Sequence, residues 1–402
     1  MKILFVNVFY KPFIGGGVEI TLENLVKGMK SLGHEVKILT LTNEKEIVKE
    51  SLEGIDIVRL PIKNLYFPNY KIIKKPSYII MKLWILFDVY NPLNDKHIYN
   101  AIQEFNPDVV SLHNLQGFSI AIWDLLKEMN YPFIQVLHDQ YFLCPANFVK
   151  HGKICKKQCL QCKILRYLHK IKSKNLNVVG ISNFILNKFL SYGYFSNSKF
   201  KKVIYNSRNF SNEIFINNRK VIKSNIVYGY IGTLIKYKGI EILLDLFTTN
   251  PNLQKHTLLV AGSGEKTYVD YLKNKYQNHN IKFLGRVKQI NFFPNVDVTV
   301  VPSIVEEGLG MTAIESLMFG KPVIVSNRGA LPEIVNNKFL GYIFNIDNKK
   351  SLLQQLIRFK HNINNFKIYE GKIRDLAIKK FGYVQWINEW ENTYKSINLV
   401  NV

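Results

Sequence analysis

The chain reads as two α/β domains, each built on a doubly wound parallel sheet. Three observations predict this. Short apolar runs alternate with stretches of helical periodicity. That alternation restarts once, near Asn225. Each half opens on a strand that runs into a glycine-bearing loop. The length of 402 residues agrees with two domains, each large enough to bury its own core.

The elements follow in order. Lys2-Ile3-Leu4-Phe5-Val6-Asn7-Val8 suits a buried parallel strand. After Gly15-Gly16-Gly17, the residues Leu22, Leu25, Val26 and Met29 recur at helical spacing. Gly33-His34 ends that helix, and Glu35 to Thr40 forms the next strand. This is a βαβ unit with a right-handed crossover. Further buried strands are expected at Val109 to Leu112, Phe133 to Leu137 and Val178 to Ile181. In the second half Ile226 to Ile231 is a strand and Gly232 to Lys238 a loop. Ile240, Leu243, Leu244 and Phe247 make a helical stripe. Strands follow at Thr257 to Ala261, Ile281 to Leu284, Val298 to Val301 and Pro322 to Val325. The split is expected near residues 206–224. Ligands of such sheets sit at the carboxyl ends of the strands, so a bilobed protein binds them in its cleft.

Composition narrows the class. Apolar residues are 47% and charged residues 21%, which excludes disorder, collagen and a disulfide scaffold. The apolar run after Met1-Lys2 meets Lys11-Pro12 without a small-residue cleavage site and reads as a strand, not a signal peptide. No stretch approaches the ~18 apolar residues of a spanning helix; Tyr78 to Val89 comes nearest and carries Lys82. A soluble, cytoplasmic protein is expected. The net charge of +24 is unevenly spread. Residues 1–139 hold 15 basic and 15 acidic residues, residues 140–212 hold 14 basic and none acidic, and residues 213–402 hold 25 against 15. The acid-free middle attracts a polyanion: nucleic acid, an anionic membrane face or a phosphorylated substrate.

Three motifs carry chemistry. Gly15-Gly16-Gly17-Val18-Glu19 lets backbone amides approach an oxyanion at a helix N-terminus; a plain turn is the other reading. It does not match a dinucleotide fingerprint, whose third glycine would fall on Ile20. In Pro302-Ser303-Ile304-Val305-Glu306-Glu307-Gly308-Leu309-Gly310-Met311-Thr312-Ala313-Ile314-Glu315 the glycines allow close approach. The amides at Gly310, Met311 and Thr312 open a helix toward an anion, and Glu307 and Glu315 accept from sugar or ribose hydroxyls. In Gly232-Thr233-Leu234-Ile235-Lys236-Tyr237-Lys238-Gly239 a lysine on a strand-end loop can neutralise a diphosphate leaving group.

With Gly262-Ser263-Gly264, Leu284-Gly285-Arg286, Lys321-Pro322-Val323 and Leu331-Pro332-Glu333-Ile334-Val335, these segments resemble glycosyltransferase family 4 over nearly the whole chain, most strongly from 226 to 345. The resemblance implies a GT-B fold, in which the last helix crosses back to the N-terminal domain. The domains are then 1–207, completed by 383–402, for the acceptor, and 208–382 for a nucleotide sugar. It further implies transfer from a UDP- or GDP-sugar with retention at the anomeric carbon and without a required divalent metal. Glu307 would bind the donor sugar hydroxyls near the reacting carbon, and Glu315 the ribose. Lys238 and the amides near Gly310 and Met311 would stabilise the diphosphate with help from Gly16 and Gly17. The backbone around Arg286 and Val287 would hold the base. Gly232 and Thr233 complete the donor loop. The chain departs from the family at Thr233, where an arginine is usual, so Lys236 or Arg286 would have to supply that charge. It also departs at Leu309, where phenylalanine is usual.

The His138-Asp139 segment also resembles the family, and His138 at a strand end should face the cleft as a catalytic residue. It would bond the donor sugar or the acceptor there; a satisfied core histidine is the other reading. His113-Asn114 is a similar acceptor-side candidate. Cys144, Cys155, Cys159 and Cys162 have a spacing that a tetrahedral structural zinc could use, with four free thiols as the alternative. The expected function is extension of a bacterial surface glycan on a glycan or lipid-linked acceptor, by a peripheral protein on the inner face of the anionic cytoplasmic membrane. No nucleic-acid-binding module is found, and nucleic acid is not an expected partner. Two other readings are a GT-B nucleotide-sugar epimerase, and a non-catalytic polyanion-binding protein on a degenerate scaffold, which Thr233 would favour.

Overall fold

The structure is a computed structural model that describes residues 1–68, 76–150, 153–210 and 225–400. Most of the expected split at 206–224 therefore lies outside the described residues. The chain divides into two units, Met1–Tyr205 with Trp386–Val402, and Asn206–Gln385.

The first unit is built on an eight-stranded sheet of order β10-β9-β6-β5-β1-β2-β4-β3. Its strands are β1 (Lys2–Val6), β2 (Glu35–Thr42), β3 (Val48–Leu52), β4 (Ile55–Pro61), β5 (Val109–Leu112), β6 (Phe133–Leu137), β9 (Val178–Gly180) and β10 (Lys201–Val203); β7 (Val149–Lys150) and β8 (Lys153–Ile154) form a separate hairpin. All pairings in the large sheet are parallel except β3 with β4. Central β1 has no amphipathic alternation because both faces are covered: Ile3, Leu4, Phe5 and Val6 are all buried. Each such side chain contributes about 1.5–3 kcal/mol of burial. The chain leaves β1 for β2 on one side and later takes β5 on the other. The direction of winding reverses there, and a crevice at the strands' carboxyl ends results.

The edge hairpin of β3 and β4 was not expected from the sequence pattern. Its turn is Glu53-Gly54, both with positive φ, so Leu52 pairs with Ile55 across a two-residue loop. The exposed edge strand alternates and carries Lys49 and Glu50, which blunts pairing with other chains.

The last helix, Tyr383–Val400, contributes most of its length to the first unit. Trp386, Trp390, Tyr394 and Ile397 are buried along one stripe. Its polar side reaches His34 through Glu391 at 3.2 Å and Lys202 through Glu389 at 3.2 Å. Among the described residues no helix is long and apolar enough to cross a membrane.

The second unit carries a six-stranded parallel sheet of order β13-β12-β11-β14-β15-β16. Its strands are β11 (Val227–Ile231), β12 (Thr257–Ala261), β13 (Ile281–Gly285), β14 (Val298–Val301), β15 (Val323–Ser326) and β16 (Gly341–Phe344). Here the reversal lies between β11 and β14, so their carboxyl-end loops are the ones brought together.

Candidate active site

In the second unit the loop after β11 meets the loop after β14. Ile304 N donates to the Tyr237 carbonyl at 2.9 Å. Gly239 adopts φ +72, and a Cβ there would lie 1.8 Å from the Pro302 carbonyl oxygen. Only glycine permits this approach. The junction sets Lys238 against Glu307, with Nζ 2.6 and 2.9 Å from the two carboxylate oxygens. The Glu307 backbone is held in turn by Ala330 N at 2.9 Å. Burial alone would raise the Glu307 carboxyl; the Lys238 ammonium outweighs it and holds the group below its usual range. Glu307 is therefore an ionised acceptor, and Lys238 is a cation held ready beside it.

The helix Met311–Met318 begins one turn further on. Gly310 occupies its N-cap with φ +93 and offers no side-chain cap. A Cβ there would stand 2.5 Å from Leu331 Cδ2. The leading amides of Met311 and Thr312 lie where a helix attracts an anion. Thr312 Oγ1 donates to the Ile231 carbonyl at 3.3 Å and ties this helix to the end of β11.

Glu315 lies on the same helix and is buried. Its Oε1 accepts from Arg208 Nε at 2.8 Å, and its Oε2 from Gln289 at 3.4 Å. The sequence reading missed Arg208. Its buried Nη1 has no hydrogen-bond partner among the described residues. This cation holds the carboxylate expected to take a ribose, whereas Thr233, Lys236 and Arg286, which bear on the missing family arginine, are all exposed. The one available signal was Arg208's place in the acid-free stretch. Gly232 donates its amide to Ala261 at 3.1 Å, and the Thr233 carbonyl accepts from Tyr230 at 3.0 Å. Arg286 and half-buried Val287 follow the carboxyl end of β13.

In the first unit the glycine loop after β1 is partly self-satisfied. Gly16 N donates to Glu19 Oε2 at 2.8 Å, from the first turn of the helix Gly17–Ser31. The expected anion contact from the Gly16 amide is thus met internally, because the carboxylate folds back over its own helix N-terminus. Gly17 opens the helix without this constraint.

His113 and His138 follow β5 and β6, beside the reversal point of their sheet. Their rings stack, with His113 Nδ1 2.8 Å from His138 Nε2. Burial lowers both, His138 to about 4 and His113 well below the usual histidine range. Both are therefore neutral near pH 7. His138 is not a conventional satisfied core residue, because its buried Nδ1 has no partner among the described residues. It lines a cavity of about 10 Å³ with Asn114 and Asp139, about the space of one water.

Of the two readings of the cysteines, a zinc cage and four free thiols, the structure does not bring the four sulfurs together as one set. Cys144 and Cys162 are 3.5 Å apart, and the thiol of Cys159 also bears on Cys162. Among the described residues no group of three or more His, Cys, Asp or Glu side chains is arranged to hold a metal ion. Cys144 is buried while Cys155, just after β8, is half-buried, so sequence spacing did not translate into convergence.

Comparison with known proteins decides the family. The model for glycosyltransferase family 4 matches residues 15–209, and that for glycosyl transferases group 1 matches residues 211–370. The chain belongs to glycosyltransferase family 4. This family 4 glycosyltransferase is 29% identical, over 86% of its length and 92% of the relative, to an uncharacterized 42.6 kDa protein in the cps region of Klebsiella pneumoniae. It is 25% identical, over 52% of its length and 59% of the relative, to the Escherichia coli O-antigen biosynthesis glycosyltransferase WclY. The enzyme has the GT-B fold. Its similarity to sucrose-phosphate synthase from Thermosynechococcus elongatus has a TM-score of 0.77 at 16% identity, covering 99% of each chain. Anabaena HepE in complex with UDP-glucose gives 0.71 at 17% identity, covering 98% of this chain and 100% of that one.

Proposed function

We propose that this glycosyltransferase moves a hexose or N-acetylhexosamine from a UDP- or GDP-sugar to a glycan or lipid-linked acceptor, with retention, in the synthesis of a bacterial surface polysaccharide. The observation that carries the reading is the Lys238–Glu307 pair beside the uncapped helix at Gly310. Departure of a nucleoside diphosphate leaves an oxocarbenium-like carbon and places growing negative charge on the phosphates. Lys238 and the leading helix amides supply positive charge there, so the reading assigns no step to a divalent metal. Glu307, released from Lys238, accepts from the sugar hydroxyls. Glu315 receives the ribose through the oxygen that Gln289 only weakly occupies, and the backbone at Arg286 and Val287 holds the base. Attack on the same face, assisted by the leaving phosphate, retains the anomeric configuration. The cps-region and O-antigen relatives support the polysaccharide setting, and the UDP-glucose complex of HepE supports the donor class.

A panel of UDP, GDP, UDP-hexoses, UDP-N-acetylhexosamines and GDP-mannose, read by thermal shift, tests the donor site. A selective shift that Lys238→Ala weakens is the expected result; a flat panel on folded protein sinks the reading. Proton NMR of the product's anomeric signal tests retention, and activity unchanged by a chelator tests the metal-free step.

The same reading places the enzyme at an anionic membrane on the cytoplasmic side. Support comes from the helix Tyr78–Phe87, in which only Trp84 is buried; Ile79 is 70% and Leu86 56% exposed. Just after it, Tyr90 lies under Lys172 at 5.0 Å, so this apolar surface continues into the acid-free basic segment. Apolar insertion beside clustered lysines is how a peripheral helix grips anionic lipid. Flotation with phosphatidylglycerol vesicles should recover the protein, and vesicles of phosphatidylcholine alone should not. Recovery from both alike, or from neither, counts against membrane docking.

A further inference from the structure

The two histidines end a longer chain of hydrogen bonds in the first unit. Tyr394, on the last helix, lies 3.0 Å from Ser111 Oγ. Ser111, on β5, lies 3.0 Å from His113 Nε2, and His113 Nδ1 lies 2.8 Å from His138 Nε2. Tyr394, Ser111 and His113 are fully buried or nearly so. These are three contacts among four groups, each of which carries one exchangeable proton when both imidazoles are neutral. One proton is left over, and its position follows from where it can be satisfied.

If the chain runs from His138 toward Tyr394, the surplus proton is the phenol hydrogen of Tyr394. If Ser111 accepts from both sides, the surplus proton is its own hydroxyl hydrogen. Either arrangement strands a donor on a side chain with no exposed surface, at the full cost of desolvation. If the chain runs from Tyr394 outward, the phenol donates to Ser111, Ser111 donates to His113 Nε2, and His113 Nδ1–H donates to His138 Nε2. The surplus proton then sits on His138 Nδ1, the atom that has no partner among the described residues and belongs to a residue lining the small cavity at the strand ends. This direction alone satisfies the donors of Tyr394, Ser111 and His113, and it leaves the unmet one on a residue lining a cavity with room for about one water.

We propose that Tyr394, Ser111 and His113 form a relay that locks His138 as its Nδ1–H tautomer, so that His138 presents a hydrogen-bond donor to an oxygen of the bound substrate and does not act there as a base. The tautomer follows from the geometry of these four residues; that the recipient is a sugar or acceptor oxygen rests on the function proposed above. Tyr394, Ser111 and His113 are positioning residues, since they act through His138. The neutral state of both rings agrees with their burial. The relay also links substrate contact to the docking of the last helix, because its first donor comes from that helix.

The test is histidine-specific ¹⁵N labelling of the full chain at neutral pH, with His138 identified by the signal lost in His138→Gln. The expected spectrum shows a protonated Nδ1 and an unprotonated Nε2 in one tautomer. Ser111→Ala leaves His113 Nε2 without a partner whichever way the remaining bond runs, and should turn this into a mixture. Tyr394→Phe should keep the single tautomer, because Ser111 then still has only His113 to donate to. A wild-type His138 protonated at Nε2 overturns the relay. So does an unchanged single tautomer in a folded Ser111→Ala protein. The expected tautomer together with a flat nucleotide-sugar panel upholds the relay and locates the failure in the donor assignment.

Discussion

The two units solve the same geometric problem with opposite chemistry. Each places polar side chains at the carboxyl ends of strands where its sheet reverses direction. In the second unit those side chains are ionised and partly solvated: Lys238 faces Glu307, and the carboxyl is held down by its partner. In the first unit they are buried and neutral, and His113 and His138 are driven down by loss of solvent. The same contrast separates two carboxyls. Glu307 is lowered, whereas Asp88 in the first unit is pushed up to about 7, mainly by burial, against the Tyr141 hydroxyl and the Arg166 charge. The difference teaches what each site is suited to meet. A charged, half-open pair can trade partners with an incoming diphosphate. A neutral, enclosed relay can orient one hydrogen bond to a hydroxyl without paying to desolvate an ion.

The comparison can be broken most forcibly at Glu315. Glu315→Ala strands the buried Arg208 guanidinium, which should cost on the order of 3–5 kcal/mol in a denaturation experiment. Arg208→Met in the same chain should recover much of that loss by removing the unpaired charge. No recovery would mean that the pair does not hold this part of the second unit together. Next, Lys238→Ala should lower kcat by about 10²–10³, equivalent to ~2.7–4 kcal/mol of barrier, if Lys238 stabilises the leaving group. A loss confined to KM would assign it to ground-state binding instead.

Smaller effects test the carboxyl contrast by pH. Asp88 is raised in the folded state, so its contribution to stability is complete below the unfolded value of about 3.9 and is lost as pH rises through about 7. Asp88→Asn should therefore flatten the melting temperature across that window. Glu307 has the opposite sign: its contribution is present above its unfolded value and is lost as pH falls through its lower folded value. Glu307→Gln should differ most from the parent above about pH 5 and converge with it in acid. Identical profiles for the two variants would erase the distinction drawn between the units.

The sheets' central strands were legible because they are local. Ile3 to Val6 and Val298 to Val301 read as buried strands from a handful of consecutive residues. The Lys238 and Glu307 loops were legible because glycines and strand ends mark them. The edge strands β3 and β4 were harder, since Val48–Leu52 carries charge and packs on one face only. The strand β16, Gly341–Phe344, was passed over because four residues give little period to read. The self-capping of Gly16 by Glu19 was present in the spacing, but the same spacing also suited an anion site.

By itself the sequence determined that two wound α/β units form, that glycine-bearing loops leave their first strands, and that Glu307, Glu315 and Lys238 stand on those loops and the following helix. Short-range periodicity and backbone sterics suffice for that. Tertiary structure alone decided that Arg208 meets Glu315, 107 positions away, and that Tyr394 reaches Ser111 across 283. It also decided that Cys144 meets Cys162 without completing a cage. The physical reason is that such contacts depend on strand order and helix return. Those are fixed by burying whole faces together, and no local pattern records which distant side chains then fall within hydrogen-bond reach.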